Sequence, residues 1–266
     1  MGIGRRYAIK RTNAHGILVP VIGPHRVTAV IPALNEEKGV MATIERTPRS
    51  VDEILVIDGG SSDQTRINAE KLGAHVISQL IRGYGLAYKT GFLNASGDII
   101  ITGDADGTYP MELAEQIIAE MDSRHLDFVS CTRFPLRDSD SMERLNQFGN
   151  RAITLWGSTL ALKRFHDLLS GMWLFRKSVL SELRLATNGW NFSPEIKLEA
   201  AYKLRRRFAE IHIPYRERVG ITHTLRPFRV GGENALFIFY KRCSQIYRRY
   251  IDRREDDELR GAKVRQ

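Results

Sequence analysis

Cysteine is scarce in this 266-residue chain: the two present, Cys131 and Cys243, stand far apart and without metal-ligand spacing. That excludes a disulfide scaffold and a thiolate zinc site, and it favours a reducing compartment. Long apolar runs are missing as well. The longest, Ile99–Ile101 and Ala235–Tyr240, fall far short of the roughly 20 residues that cross a bilayer. The basic residues between Met1 and Arg11 precede no apolar stretch of signal-peptide length, so no secretory leader is expected. Neither an internal repeat nor a low-complexity tract breaks the chain. With 42% hydrophobic and 27% charged residues, wholesale disorder is excluded, and the length suits one catalytic domain with short appendages.

Negative charge is in deficit, with 31 acidic residues against 40 lysines and arginines, a net +9. Such a surplus favours anionic partners. It is regional, crowding Lys203 to Arg207, Arg216 to Arg229 and Lys241 to Arg249.

Apolar runs and polar loops alternate along the first half. Strands are expected at Arg26 to Ala33, Glu53 to Asp58, Ala74 to Ser78 and Asp98 to Thr102, and Asn35 is a candidate cap for the first helix. A Gly-studded segment runs from Arg82 to Gly91, a helix is expected from Arg144 to Leu169, and Ile211 begins a late strand. Alternation at this spacing predicts a mostly parallel α/β sheet covered on both faces. Ligands then bind beyond the carboxyl ends of the strands. That rule singles out the loops Pro32 to Glu36, Asp58 to Asp63 and Gly103 to Pro110.

The sharpest local feature is Ile99-Ile-Ile-Thr-Gly-Asp-Ala-Asp-Gly-Thr-Tyr-Pro, two carboxylates one residue apart behind a buried strand. In extended geometry Asp104 and Asp106 face the same way. Paired carboxylates repel, and a hard divalent cation relieves them. An Asp-rich turn ahead of Pro110 accounts for the same residues. Asp58 is placed to accept hydrogen bonds from a base or ribose, while Asp63 reads as a helix cap. Gly83 and Gly85 permit close backbone approach.

Taken in order, these residues resemble glycosyltransferase family 2, and within it the dolichol-phosphate and polyprenyl-phosphate hexose synthases. Val30-Ile-Pro-Ala-Leu-Asn-Glu-Glu, Val56-Ile-Asp-Gly-Gly-Ser-Ser-Asp-Gln-Thr, Arg82-Gly-Tyr-Gly-Leu-Ala-Tyr-Lys-Thr-Gly, the acidic pair and Asp167-Leu-Leu-Ser-Gly-Met-Trp-Leu-Phe-Arg follow in family order between Val27 and His223. The resemblance implies a GT-A fold over residues 26–232, flanked by an N-terminal extension (1–25) and a basic amphipathic helix and tail (233–266). It implies donor contacts at Pro32, Leu34, Glu36, Asp58 and Gly83, and Mg²⁺ or Mn²⁺ with the diphosphate at Asp104, Ala105 and Asp106. Arg133, Arg176 and Arg218 become candidate phosphate contacts. Gly59 stands where the family's nucleoside loop has a second Asp, Tyr84 where many members have Lys, and Thr108 where some have a Gln near the metal. Thr222 and His223 replace a common Ser-Lys pair, leaving a phosphate contact there to His223 or to no residue.

The expected reaction is inverting, metal-dependent transfer of a hexose from a GDP-mannose or UDP-glucose type donor to a polyprenyl or dolichyl phosphate. A phosphate acceptor, with a second pKa of about 6, attacks without the general base that a hydroxyl needs. A hydroxyl acceptor is the alternative, with Asp167 or Glu195 as base, Asp167 being better suited to ordering the loop before Ser170-Gly171. The segment Asn234 to Ile251, interleaving aromatic and basic residues, suits either a membrane interface or a helix packed on the domain. A cytoplasmic enzyme peripheral to a membrane is expected. Nucleic-acid binding is remote, because no stacking platform or known motif accompanies the basic clusters.

Overall fold

Continuous runs of Val, Ile and Leu form strands buried on both faces. The structure is a computed structural model describing residues 10–12, 18–20, 24–136, 142–220 and 227–263, so Thr222 and His223 lie outside the described residues. A short antiparallel pair, β1 (Lys10–Thr12) and β2 (Leu18–Pro20), precedes the main sheet. That sheet contains β3 (Val27–Ala33), β4 (Glu53–Asp58), β5 (His75–Ser78), β6 (Ile99–Thr102), β7 (Phe128–Thr132), β8 (Trp173–Arg176) and β9 (Phe208–His212), in the order β5-β4-β3-β6-β8-β7-β9. All pairings are parallel except those of β8, which runs against β6 and β7.

The helices are α1 (Gly39–Arg46), α2 (Thr65–Lys71), α3 (Tyr84–Asn94), α4 (Ala114–Ser123), α5 (Arg144–Ala161), α6 (Phe192–Leu204) and α7 (Pro227–Lys263). Strand alternation divides the core. Ile100, Phe128, Trp173 and Phe175 pack with Tyr88, Phe92, Phe192 and Ile238 from α3, α6 and α7. Ile99, Ile101, Val129 and Leu174 pack with Ile117, Ile118 and Met121 of α4.

Three local expectations change, and one segment without an assignment gains one. The Gly-studded segment is the helix α3, because its glycines are contact points: a Cβ at Gly91 would collide with Val30, and one at Gly85 would lie 2.6 Å from Phe192 Cβ. Close packing there offsets the ~1 kcal/mol that glycine costs a helix. Asn35 does not cap α1, since that helix starts four residues later with no side-chain cap. Asn35 takes a positive φ and its Oδ1 accepts the Ser62 N–H at 2.8 Å, joining the first two loops. The helix from Arg144 ends at Ala161, where Leu162 turns left-handed. The C-terminal helix begins at Pro227, six residues before 233, and its Ile238 enters the main core.

Candidate active site

In register, Ala33 pairs with Asp58 and Asp58 with Ser78, so the loops after β3, β4 and β5 leave the sheet along one edge. β6 delivers Asp104 to that edge and β7 delivers Arg133. Because β8 is antiparallel, it is its beginning, Ser170 and Gly171, that arrives there. Asp58 is buried, and its Oδ1 accepts the Ser61 N–H at 3.0 Å. Asp63 stands one residue before the N-cap position of α2, accepting from the Thr65 N–H at 3.0 Å and from the Glu37 N–H at 3.2 Å.

The structure places one predicted donor contact, Arg176, away from the site. Arg176 pairs in register with Ile99 at the start of β6. Five residues at about 3.3 Å each separate that level from Asp104, and Arg176 donates to Asp122 at 2.6 Å and pairs with Asp127 at 3.3 Å. It braces the opposite edge of the sheet. Gly83 makes its close approach to protein, since a Cβ there would lie 2.6 Å from the Asn188 carbonyl.

The acidic loop is held from behind by α1. Thr43 Oγ1 donates to the Asp104 carbonyl at 3.2 Å and accepts the Gly107 N–H at 3.1 Å, while Arg46 Nη1 donates to the Gly107 carbonyl at 2.6 Å. Only glycine at 39 lets α1 approach the Ala105 carbonyl this closely. In front, the Val219 N–H donates to the Asp106 carbonyl at 2.9 Å and the Arg216 N–H to the Thr108 carbonyl at 3.1 Å. Ala105 is buried between these layers.

The two carboxylates have different surroundings. Asp104 Oδ1 accepts from Tyr84 Oη at 3.1 Å and Tyr88 Oη at 3.3 Å. Burial, then the charge of Asp106, push the Asp104 pKa up to about 6, against the hydrogen bonds of Tyr84 and Tyr88 and the charge of Arg133. Asp106 Oδ1 accepts from Thr108 Oγ1 at 2.7 Å, and its Oδ2 accepts from Arg218 Nη1 at 2.8 Å. Arg218 Nη2 pairs with Glu36, tying the first loop to the acidic one. Thr108 thus orients Asp106. Among the described residues no group of three His, Cys, Asp or Glu side chains is arranged to hold an ion. The donor set is two neighbouring carboxylates, of which Asp104 is disfavoured as an anion by burial and by the charge of Asp106, and such a pair fits a hard divalent cation completed by oxygens of a ligand.

Arg133 is buried and locked by Asp167. Its Nε donates to Oδ2 at 2.7 Å, its Nη2 to Oδ1 at 2.9 Å and its backbone N–H to Oδ2 at 3.1 Å. Burial works to raise the Asp167 pKa, but the charge and hydrogen bonds of Arg133, with Lys197, hold it below the usual carboxylate range. Lys197 is itself buried, donating to the Asp167 carbonyl at 3.0 Å. Burial pushes its pKa down to about 7, Asp167 opposing and Arg133 adding. The unfolded chain therefore binds this proton more tightly than the folded one between pH 7 and about 10.4. Relative to Lys197→Met, the wild type is expected to gain stability as pH rises through that window and to lose the gain as pH falls through 7. Urea unfolding of both proteins from pH 6.5 to 10 checks this; a constant difference would mean that Lys197 stays charged when folded.

Glu195, at the start of α6, is also committed. It accepts the Ala186 and Thr187 N–H groups at 3.1 and 2.8 Å, Thr187 Oγ1 at 2.7 Å and Lys241 Nζ at 3.0 Å. Lys241 belongs to α7, so that helix anchors the loop carrying Trp190. The Trp190 ring stacks on Tyr84 with centroids 4.6 Å apart, forming an aromatic wall beside Asp104.

A methyl group at Gly171 would stand 2.7 Å from Tyr84 Oη and 3.0 and 3.1 Å from the Asp104 oxygens. Gly171→Ala is expected to break the Tyr84–Asp104 contact and lower unfolding free energy by ~1–3 kcal/mol, measured by urea denaturation. An unchanged midpoint would show that the pocket yields.

Thus Glu36, Asp58, Asp104, Asp106, Thr108, Arg133 and Arg218 gather on one edge of the sheet or link its loops, with Pro32 and Leu34 on the β3 exit. Sequence reasoning missed Tyr88 and Trp190, and took Tyr84 only as a departure. Tyrosines four residues apart at the start of α3 were the available signal. Nothing local marked Thr43 or Arg46.

A sequence profile described as Glycosyl transferase family 2 matches residues 28–184. A dolichyl-phosphate hexose transferase of Haloferax volcanii is 34% identical over 208 residues, 77% of this chain and 89% of that protein. An undecaprenyl-phosphate 4-deoxy-4-formamido-L-arabinose transferase of an Enterobacter species is 34% identical over 142 residues, 48% of this chain and 43% of its own length. Among solved structures, glucosyl-3-phosphoglycerate synthase from Mycobacterium tuberculosis, in complex with Mn²⁺, UDP and glucosyl-3-phosphoglycerate, shares the fold with a TM-score of 0.66. It is 21% identical, over 83% of this chain and 81% of that one.

Proposed function

The chain belongs to glycosyl transferase family 2 and is a glycosyltransferase, and on that premise we propose that it moves a hexose from a nucleotide sugar to a polyprenyl or dolichyl phosphate, with inversion. The observation that carries the acceptor assignment is the state of Asp167 and Glu195. Both carboxylates that a hydroxyl acceptor would call on as base are consumed by hydrogen-bonded ion pairs and held below their usual pKa range against burial. A phosphate monoester, largely dianionic at neutral pH, brings its own nucleophile. The relatives whose names specify dolichyl phosphate and undecaprenyl phosphate support the same reading.

Each residue then has a definite task. Pro32, Leu34, Glu36 and Asp58 border the position of the base and ribose of a GDP-mannose or UDP-glucose type donor. Asp104 and Asp106 would hold Mg²⁺ or Mn²⁺, with Thr108 fixing the orientation of Asp106. When bound, the ion supplies Lewis-acid charge to the departing nucleoside diphosphate. The Mn²⁺ and UDP named in the structural relative's complex support that role. Arg218, reaching both Glu36 and Asp106, lies where a diphosphate would pass. Arg133, its fork oriented by Asp167 beside the acidic pair, gathers the acceptor phosphate. This attack needs no proton removal by the protein.

Among the described residues no helix is long and apolar enough to cross a membrane. A polyprenyl acceptor places the enzyme at a membrane surface, and unpaired cysteines favour the cytoplasmic face. The test is transfer of labelled hexose from GDP-mannose and UDP-glucose to a polyprenyl phosphate and to the matching polyprenol, with Mn²⁺ and with chelator. Label should enter the phosphate lipid alone, and only with metal. Transfer to the alcohol, or undiminished transfer in chelator, would overturn the proposal.

A further inference from the structure

α5 and α7 both turn an apolar stripe away from the domain. On α5, Leu145, Phe148, Ala152 and Leu155 recur at steps of three and four, the period of one helix face, and Phe148 and Leu155 are 73% and 69% exposed. On α7, Leu236, Phe239, Tyr240, Ile246 and Tyr247 keep the same period, with Leu236 and Tyr240 70% and 69% exposed. The helices are neighbours. Trp156 Nε1 donates to the Ala235 carbonyl at 3.1 Å, and the absence of a Cβ at Gly157 admits Leu168 beside Ile238. The opposite face of each helix is already buried, so these stripes are additional to the core.

Charge along the stripes is mainly positive. From Arg144 to Arg164 the only charged residues are Arg144, Arg151, Lys163 and Arg164; on α7 Lys241 is turned inward onto Glu195 and Glu199, and the exposed Glu143 and Glu233 stand just before the two stripes. Pairing this face with a second copy would oppose cation to cation. An anionic lipid surface instead accepts the apolar side chains and attracts the flanking cations. The surface also adjoins the site. The Arg151 guanidinium lies 5.3 Å from the Phe134 ring centroid, and the Arg133 guanidinium 5.8 Å from the same ring.

We propose that the outer faces of α5 and α7 together form a docking surface for an anionic bilayer, with Arg133 at its margin. The proposal rests on the lipid-phosphate reading of the acceptor: the phosphate reaches Arg133 while its chain stays in the bilayer. It extends the membrane contact beyond the C-terminal segment to α5, whose outward stripe no sequence feature near the site required.

The test compares the full chain with a variant carrying Phe148→Glu, Leu155→Glu, Phe239→Glu and Tyr240→Glu, all exposed positions outside the site. Co-sedimentation with vesicles of phosphatidylglycerol and phosphatidylcholine, and with phosphatidylcholine alone, reads binding. Transfer to a short-chain prenyl phosphate dispersed in detergent reads chemistry. The wild type should bind anionic vesicles, and both the variant and the neutral vesicles should lower binding about tenfold or more, with detergent transfer by the variant changed less than about twofold. Undiminished vesicle binding by the variant overturns the proposal. So does a wild type that ignores vesicles but self-associates in light scattering and is made monomeric by the variant, which would assign the face to a second copy. If vesicle binding follows the expected pattern but no prenyl phosphate accepts sugar, the surface stands and the acceptor reading fails.

Discussion

Asp106→Asn is expected to lower kcat roughly a hundred- to a thousandfold, the scale seen when one preorganised electrostatic contact to developing charge is removed. The amide matches the carboxylate in size, but its single oxygen can accept from only one of Thr108 and Arg218, which hold this side chain at 2.7 and 2.8 Å. It also loses the negative charge. Without it the pair becomes a single buried carboxylate, Asp104, and the cation site loses half of its protein charge. The expected pattern is a collapse of kcat that excess Mn²⁺ restores only in part, with an unfolding midpoint close to wild type. Steady-state kinetics over a Mn²⁺ titration, beside urea unfolding, separate the cases. A variant retaining transfer within about tenfold of wild type would show that leaving-group activation does not run through Asp106.

Asp167→Ala should cost ~3–5 kcal/mol of stability, the penalty for leaving a buried charge without its partner. Arg133 would keep its guanidinium in the interior, 7% exposed, and lose three hydrogen bonds together. Lys197, drawn into the same interior by the Asp167 backbone carbonyl, would then face Arg133 without the intervening anion. The double replacement Asp167→Leu with Arg133→Met removes both charges and should recover much of the loss, because the pair's attraction is set against its own desolvation. Urea denaturation of wild type, the single variant and the double variant closes this cycle. If the double variant is as unstable as the single one, the cost comes from packing. Transfer should stay lost in the double variant, since the pair would serve the phosphate as well as the fold.

The two predictions probe residues that were legible to different degrees. Asp104 and Asp106 stand one residue apart behind a run of three isoleucines, so the strand and the carboxylate pair were both visible in one short window. Asp58 and the Pro32 to Glu36 loop were equally plain, because strand, loop and helix follow one another locally. The partner of Arg133 lies 34 residues away in sequence. Asp167 was weighed as a base, and its service to Arg133 became visible only once β7 and the loop before β8 were adjacent. Arg176 was misplaced for a related reason: a four-residue apolar strand reads the same in both directions, and direction decides at which edge of the sheet its last residue emerges.

What the sequence determined by itself was therefore the local and periodic part: an alternating α/β chain, ligand-facing loops at strand ends, a carboxylate pair and an unbalanced positive charge. Local periodicity suffices there because burial on one or both faces imposes residue type at each step. The tertiary structure alone decided which way β8 runs, which arginine meets the site, that Asp167 and Glu195 are spent on cations, and that α5 shares an outward apolar face with α7. Each of those depends on which distant side chains meet, and in the interior an uncompensated charge or polar group costs too much to be left without a partner.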